Sequence, residues 1–162
     1  MTEPTFSLGR GFTLTRTFEA PPDMVFSALT EPQNLGWFFN PGFTSDLPVK
    51  VDLRVGGSWR QEMIVNAETR YMTGGIFREI EPGRKLVFTW GAVDGWPKID
   101  PENLDQSPQV TILFRDVADG TQMIFRVELP DQLTEPQTAE WMSTGMLAGW
   151  TMTIDRLVFP KK

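Results

Sequence analysis

The last part of the chain, residues 134–159, constrains the fold more than any other stretch. Thr134-Glu135-Pro136-Gln137 has the form of a helix start, in which the threonine hydroxyl and the glutamine side chain each bond a free backbone N–H group. The pattern that follows predicts a helix of about six turns. Its polar residues are spaced so that they form one narrow stripe: Glu140, Thr144, Thr151 and Asp155.

Apolar residues cover most of the remaining circumference of this predicted helix. They are Trp141, Met142, Met146, Leu147, Trp150, Ile154 and Leu157. An apolar surface this broad predicts a helix that is largely buried against a wide partner. Gly145 and Gly149 interrupt the helix, and each costs about 1 kcal/mol relative to alanine. The pair therefore makes room either for a closely packed strand, which we favour, or for a bound ligand.

The rest of the chain alternates apolar and polar residues in short segments, which is typical of half-buried strands. Short turns join most segments, so about seven antiparallel strands are expected. Gly74 and Gly75 fall inside one segment and indicate a β-bulge or a close backbone approach. The predicted strands are 11–19, 49–55, 58–65, 71–80, one around Leu86 to Trp90, one around Val110 to Phe114, and 123–129.

Two short helices are predicted after the first strand. One begins at Pro22 and ends near Thr30, and the second runs through Leu35 to Trp37 or Phe38. A sheet with one apolar face and a long helix with a broad apolar face are expected to pack together. The fold class is therefore α+β, in a single domain over residues 1–162, with a core at about 12–158 and a loose lead-in at 1–10.

Composition excludes several classes of function. The net charge of −6 and the lack of a basic cluster argue against nucleic-acid binding. Neither a signal peptide nor an apolar run of membrane-spanning length is present, so a cytoplasmic monomer or homodimer is expected. The chain has no histidine and no cysteine, which removes Ser-His-Asp catalysis, thiol nucleophiles and the usual zinc and iron ligands. No cofactor and no metal are expected.

Catalysis would have to use the remaining polar residues. Asp52, Glu62 and Glu79 are the acids on predicted strands, and salt-bridged or exposed carboxylates are favoured over a catalytic pair. Arg16 falls in phase with the apolar residues of the first strand. It is interpreted as a structural residue at the edge of the sheet, paired with a carboxylate, rather than as a ligand contact. Arg16, the single Tyr71 and Glu79 are kept as possible polar contacts.

Several motifs in order resemble the family homologous to the activator of the Hsp90 ATPase. The resemblance covers roughly residues 12–158 and implies the START-like, or SRPBCC, helix-grip fold, in which a curved antiparallel sheet grips a C-terminal helix around a cavity. Two segments depart from the family pattern and are expected to border the cavity mouth: Trp37-Phe38-Phe39-Asn40-Pro41 and the enlarged 91–108 connection. The matching motifs are Arg16-x-Phe18-x-Ala20-Pro21, Asp52-x-Arg54-x-Gly56-Gly57-x-Trp59, Gly75-x-Phe77-x-Glu79-Ile80, Leu86-Val87-Phe88-Thr89-Trp90 and Gly149-Trp150.

Binding of a small hydrophobic molecule in this cavity, without catalysis, is the favoured function. Two alternatives stay open: a regulator of an Hsp90-type chaperone or another partner-binding module, and a cyclase-like enzyme using the same cavity. The same residues would also suit a filled core. The residues predicted to line the cavity are Trp37, Trp59, Met63, Phe88, Trp90, Phe125, Met142, Met146 and Trp150.

Overall fold

The computed structural model contains one antiparallel sheet with a helix packed on it. It describes residues 11–31, 49–64, 68, 70–91, 98–100, 102–103, 107–130, 133–143, 150–151 and 154–155. The elements are β1 (Gly11–Phe18), α1 (Pro22–Thr30), β2 (Lys50–Val51), β3 (Ser58–Ile64), β4 (Arg70–Glu81), β5 (Lys85–Trp90), β6 (Gln109–Val117), β7 (Gly120–Glu128) and α2 (Glu135–Ser143).

The seven strands form one curved sheet in the order β1-β7-β6-β5-β4-β3-β2. Every neighbouring pair is antiparallel, so β2 to β7 follow one another as hairpins or longer antiparallel connections. The first strand, β1, lies beside the last strand, β7, and forms one edge of the sheet. The expected set of seven antiparallel strands is confirmed.

Turn chemistry explains two of the hairpins. Between β4 and β5, the Arg84 amide donates to the Glu81 carbonyl at 2.9 Å, and Gly83 has a φ of +72°. Proline before a glycine with positive φ is the signature of a type II turn, in which a side chain at the glycine position would be strained. Between β6 and β7, Val117 pairs with Gly120, so Ala118 and Asp119 form a two-residue hairpin turn.

The helix starts agree with the sequence analysis. Pro22 occupies the first turn of α1, and its helix ends at Thr30. Before α2, the Gln137 amide donates to the Thr134 hydroxyl at 3.3 Å, and the Thr134 amide donates to the Gln137 side chain at 2.9 Å. This reciprocal pair is the predicted capping box.

The predicted long helix over 134–159 is shown only in parts. The described residues contain α2 (Glu135–Ser143) and further helical residues at 150–151 and 154–155. Residues 144–149, which lie between these parts, are outside the described residues. The segment in which a second short helix is predicted after α1 is outside them as well.

Two local predictions need correction. The strand expected over 49–55 is only Lys50–Val51, because Asp52 to Gly57 turn the chain. The bulge expected at Gly74 and Gly75 lies instead between Phe77 and Glu79. The two glycines pair with β3 in regular register. The other predicted alternative, a close backbone approach, is confirmed, because a Cβ on Gly74 would overlap the Trp59 carbonyl.

The core lies on one face of the sheet, which we call the pocket face. Residues directly opposite each other on neighbouring strands share a face, so the register defines rows of buried side chains across it. Helix α1 adds Val25 and Phe26 to this core, and the Phe26 ring meets Phe114 edge to face at 5.6 Å. The rows are Leu14–Phe125–Ile112–Leu86, Phe12–Val127–Val110–Phe88–Phe77 and Trp90–Gly75–Trp59.

Candidate functional site

An apolar pocket lies on the pocket face, between the sheet, α1 and the C-terminal helical residues. Seven of its eight lining side chains are at most 6% exposed, and only Leu29, on α1, is partly exposed. None of the eight is polar apart from two indole N–H groups. They are Leu29, Trp59, Phe77, Leu86, Phe88, Ile112, Phe125 and Trp150.

A glycine gives one side of this pocket its shape. Gly75 pairs with Trp59 on β3 and with Trp90 on β5, so it separates two large side chains in the same row. A Cβ on Gly75 would lie 2.7 Å from the Phe88 ring and 2.6 Å from the Thr89 carbonyl oxygen. The missing side chain therefore lets the Phe88 ring lie against the backbone of β4.

The aromatic side chains meet in two groups, edge to face except for the tilted Phe125–Trp150 pair. On one side, the Phe88 ring lies 5.6 Å from Trp59 and 6.3 Å from Phe77, at interplanar angles of 72° and 79°. On the other side, Trp150 lies 5.2 Å from Trp90 and 4.9 Å from Phe125. Such pairs contribute about 0.5–1.5 kcal/mol each beyond their burial, so both groups hold the rings in defined orientations.

Two buried hydrogen bonds hold the indole rings of Trp59 and Trp90 in place. The Trp59 indole N–H donates to the Gln61 side-chain oxygen at 3.2 Å, and the Trp90 indole N–H donates to the Thr73 hydroxyl at 3.1 Å. Gln61 is 0% exposed and Thr73 is 4% exposed, and the two residues pair directly across β3 and β4. Gln61 alternates with Trp59 along β3, so both lie on one face of the sheet, and Thr73 is the partner of Gln61 on β4.

The pocket is narrow in this conformation. Its cavity volume is only about 20 Å³. By that measure a single water needs roughly 10–15 Å³. The side chains therefore fill most of the pocket, and a larger guest has to displace some of them.

The structure brings four of the predicted lining residues to the pocket: Trp59, Phe88, Phe125 and Trp150. Trp90 is on the pocket face but does not line the pocket, and its ring lies 5.2 Å from that of Trp150. Trp37, Met146 and the side chains of Met63 and Met142 lie outside the described residues.

The register identifies lining residues that sequence reasoning missed. Phe77 pairs with Phe88, and Leu86 and Ile112 belong to the row of Phe125. Each of these residues is apolar and alternates correctly along its own strand, so only the pairing between strands was needed to find them. Leu29 carries no comparable signal, because its role depends on how α1 is placed over the sheet.

Arg16 has the structural role that the sequence analysis favoured. It lies on edge strand β1, and its Nε donates to Asp155 Oδ1 at 2.9 Å. A second guanidinium nitrogen donates to the Thr15 carbonyl at 2.9 Å. The side chains are 32% and 55% exposed, so the pair links β1 to the C-terminal helical residues at the surface.

Tyr71 and Glu79 occupy different faces of β4. Tyr71 alternates with Thr73 on the pocket face and is half-buried, and burial raises its pKa above the usual 10.0. By simple alternation Glu79 would share the face of Phe77, but the bulge between them pairs Glu79 with Val87 on the opposite face. The Glu79 side chain is exposed there and lies 3.2 Å from Lys85.

The acids considered for catalysis are all ion-paired, as favoured from the sequence. Salt bridges join Asp52 to Arg54 at 2.8 Å, Glu62 to Arg70 at 3.8 Å and Glu79 to Lys85 at 3.2 Å. Within the described part of the chain, no group of three or more acidic side chains is placed to hold a metal ion. In the same ranges, no helix is long and apolar enough to cross a membrane.

The curved seven-stranded antiparallel sheet is consistent with the helix-grip fold. The family model described as "Activator of Hsp90 ATPase homolog 1-like protein" matches residues 19–158. The chain therefore belongs to this family, as its motifs indicated. No curated protein matches the chain significantly.

Solved structures of low sequence identity share the fold. A protein of Nitrosomonas europaea is 23% identical, with a TM-score of 0.72 and 93% of each chain covered. A protein of Mycobacterium smegmatis is 18% identical, with a TM-score of 0.74, covering 96% of this chain and 93% of the other. A protein of Chromobacterium violaceum is 22% identical, with a TM-score of 0.69, covering 94% and 99%. At these identities the likeness concerns the fold alone.

Proposed function

We propose that this protein binds a small hydrophobic molecule in the pocket between the sheet and the C-terminal helical residues, without catalysis. The observation that carries the proposal is the lining: eight apolar side chains surround one narrow pocket. Apolar, largely buried clefts with few polar groups are the usual form of small-molecule sites. The ion-paired state of the candidate acids also favours binding over catalysis.

The narrow pocket has to widen to accept a ligand. Leu29 is the partly exposed member of the lining, and Trp150 belongs to the C-terminal helical residues rather than to the sheet. Movement of these two side chains widens the pocket without disturbing strand pairing. Burying about 200 Å² of apolar ligand surface contributes about 5 kcal/mol before the entropy of association is subtracted. Since about 5 kcal/mol corresponds to a Kd of about 0.2 mM, we expect affinities of about 0.2 mM or weaker.

A fluorescent probe tests this proposal directly. N-phenyl-1-naphthylamine is uncharged and becomes brightly fluorescent in apolar sites, so its titration should saturate at one probe per chain. Leu29→Trp places an indole in the pocket and should abolish the signal. Met24→Trp is the matched control, because Met24 lies on the same helix but is 45% exposed and does not line the pocket.

Equal binding by both variants would place the probe elsewhere on the surface and overturn the proposal. No saturable signal from the unmodified protein, with this probe or with apolar competitors, would overturn it as well. Chaperone regulation and cyclase-like catalysis stay predictions that no contact among the described residues favours.

A further inference from the structure

Among the described residues, neither the side chains that line the pocket nor the residues that hydrogen-bond next to it carry a charge. The eight lining side chains carry no charge. Gln61, Thr73 and Trp90, which form the hydrogen bonds next to the lining, are also uncharged. Arg16 shares the pocket face but is paired with Asp155. Burial raises the pKa of Tyr71, so its phenol is neutral at pH 7. A charged ligand would lose its hydration here without gaining an opposite charge, which is strongly unfavourable.

The lining also favours flat rings over flexible chains. Five of the eight lining side chains are aromatic: Trp59 and Phe77 each meet Phe88 edge to face, and Phe125 meets Trp150 at an interplanar angle of 47°. A flat ring system inserted between these groups adds further edge-to-face or offset contacts. A flexible chain gains only the burial of its surface and loses rotational freedom when it is immobilised.

The orientation of the two tryptophan rings depends on residues that do not touch the pocket. Gln61 holds the Trp59 indole, which lines the pocket directly. Thr73 holds the Trp90 indole, which in turn contacts Trp150 at 5.2 Å. Because both bonds are buried, breaking either leaves an indole N–H without its acceptor, and the ring is then free to turn.

We propose that the ligand of this pocket is an uncharged molecule whose bound part is a flat ring system, and that Gln61 and Thr73 are positioning residues that set this selectivity through Trp59 and Trp90. The inference rests on the proposed function, since it names the ligand class for the same pocket. It goes further by assigning roles to two buried polar residues outside the lining.

The proposal makes two claims about the ligand, that it is uncharged and that its bound part is a flat ring system. Isothermal titration calorimetry at pH 7 with three probes tests the two claims separately. Methyl 2-naphthoate is flat and neutral, 2-naphthoate is flat and anionic, and 1-decanol is neutral and flexible. The ester should bind at least 10-fold more tightly than either of the others. Carboxylate or decanol binding as tight as that of the ester would overturn the inference while leaving the proposed function intact. Binding by none of the three, together with no signal from the naphthylamine probe, would overturn both.

Two threonine variants test the positioning role. Thr73→Val removes the acceptor of the Trp90 indole and should lower the ester-to-decanol affinity ratio at least fivefold, whereas Thr73→Ser, which keeps the hydroxyl, should retain it. Thr121→Val is the matched control, because Thr121 is also buried and its hydroxyl donates to the Ala20 carbonyl at 2.6 Å, away from the pocket lining. An unchanged ratio in folded Thr73→Val would refute the role of Thr73.

A Gln61 variant covers the case in which Thr73→Val does not fold. Gln61→Met keeps the length of the side chain but removes the oxygen that accepts from Trp59. The same fivefold fall in the ratio is expected, and an unchanged ratio in this variant would likewise refute the positioning role.

Discussion

Truncation of Phe88 to alanine should both destabilise the protein and enlarge its pocket. The side chain is 5% exposed and lies in the middle of the sheet, where Phe77 and Val110 pair with it. Removing a buried phenylalanine costs about 3–5 kcal/mol. Loss of the ring contacts with Trp59 and Phe77 places this site near the upper half of that range. A domain whose stability lies near the middle of the ordinary range, about 10 kcal/mol, still folds after such a loss.

The space left by the ring adjoins the existing pocket, so it should accept a guest larger than the ring removed. Apolar cavities of about 150 Å³ bind a molecule of the size of benzene, and the joined space is expected to admit naphthalene. At a free concentration 100 times its Kd, a ligand stabilises the folded state by about 2.7 kcal/mol. For a chain of this size, 1 kcal/mol corresponds to about 2–4 °C in Tm.

Differential scanning calorimetry of Phe88→Ala with toluene and with naphthalene measures this effect without optical interference. Phe12→Ala is the control, because Phe12 is equally buried, at 1% exposed, but does not line the pocket. Toluene replaces the lost ring in both variants, whereas naphthalene should raise the Tm of Phe88→Ala alone, by at least 5 °C near saturation. Equal gains with naphthalene in both variants, or a loss of stability below about 1 kcal/mol in Phe88→Ala, would refute the reasoning.

Three further predictions follow from single contacts. Gly75→Ala should lower the free energy of unfolding by about 1–3 kcal/mol in urea, because its Cβ would lie 2.6 Å from the Thr89 carbonyl; a neutral effect would contradict this. A double-mutant cycle with Arg16→Ala and Asp155→Ala should give a coupling of only about 0.2–1 kcal/mol, since both side chains are exposed, and a value above about 2 would contradict it. Stability should fall as pH rises through 10.0 towards the higher folded-state pKa of Tyr71, because the unfolded phenol ionises first. Tyr71→Phe should remove this part of the fall, and the chain's single tyrosine makes the phenolate absorbance an independent check.

The alternation of apolar and polar residues, together with the residues that form turns, was sufficient to predict most of the sheet. Alternation in β6 and β7 agrees with the buried rows, since Val110, Ile112 and Phe125 are each at most 1% exposed. The Thr134 capping box was equally visible, because it requires only four consecutive residues. These features depend on local sequence, which is why no knowledge of long-range pairing was needed.

Glu79 shows where local reasoning fails. Its position two residues after Phe77 implies the pocket face, yet the bulge adds one residue to β4 and moves Glu79 to the opposite face. Nothing in the residues around Arg78 marks a bulge, whereas Gly74 and Gly75, which resemble one, pair regularly. The position of a bulge is decided by how the neighbouring strand β5 packs, and that information is not local.

Gly75 connects these observations, because its missing side chain determines which residues can form the pocket. With no Cβ at this position, the Phe88 ring lies against β4 and reaches Trp59, whose indole is held by Gln61. A larger residue at 75 would push the Phe88 ring away from β4 and change the shape of the pocket that this ring lines. The glycine that looked like a bulge in the sequence thus acts through packing, and the pocket depends on the combination of a small residue with the large ones around it.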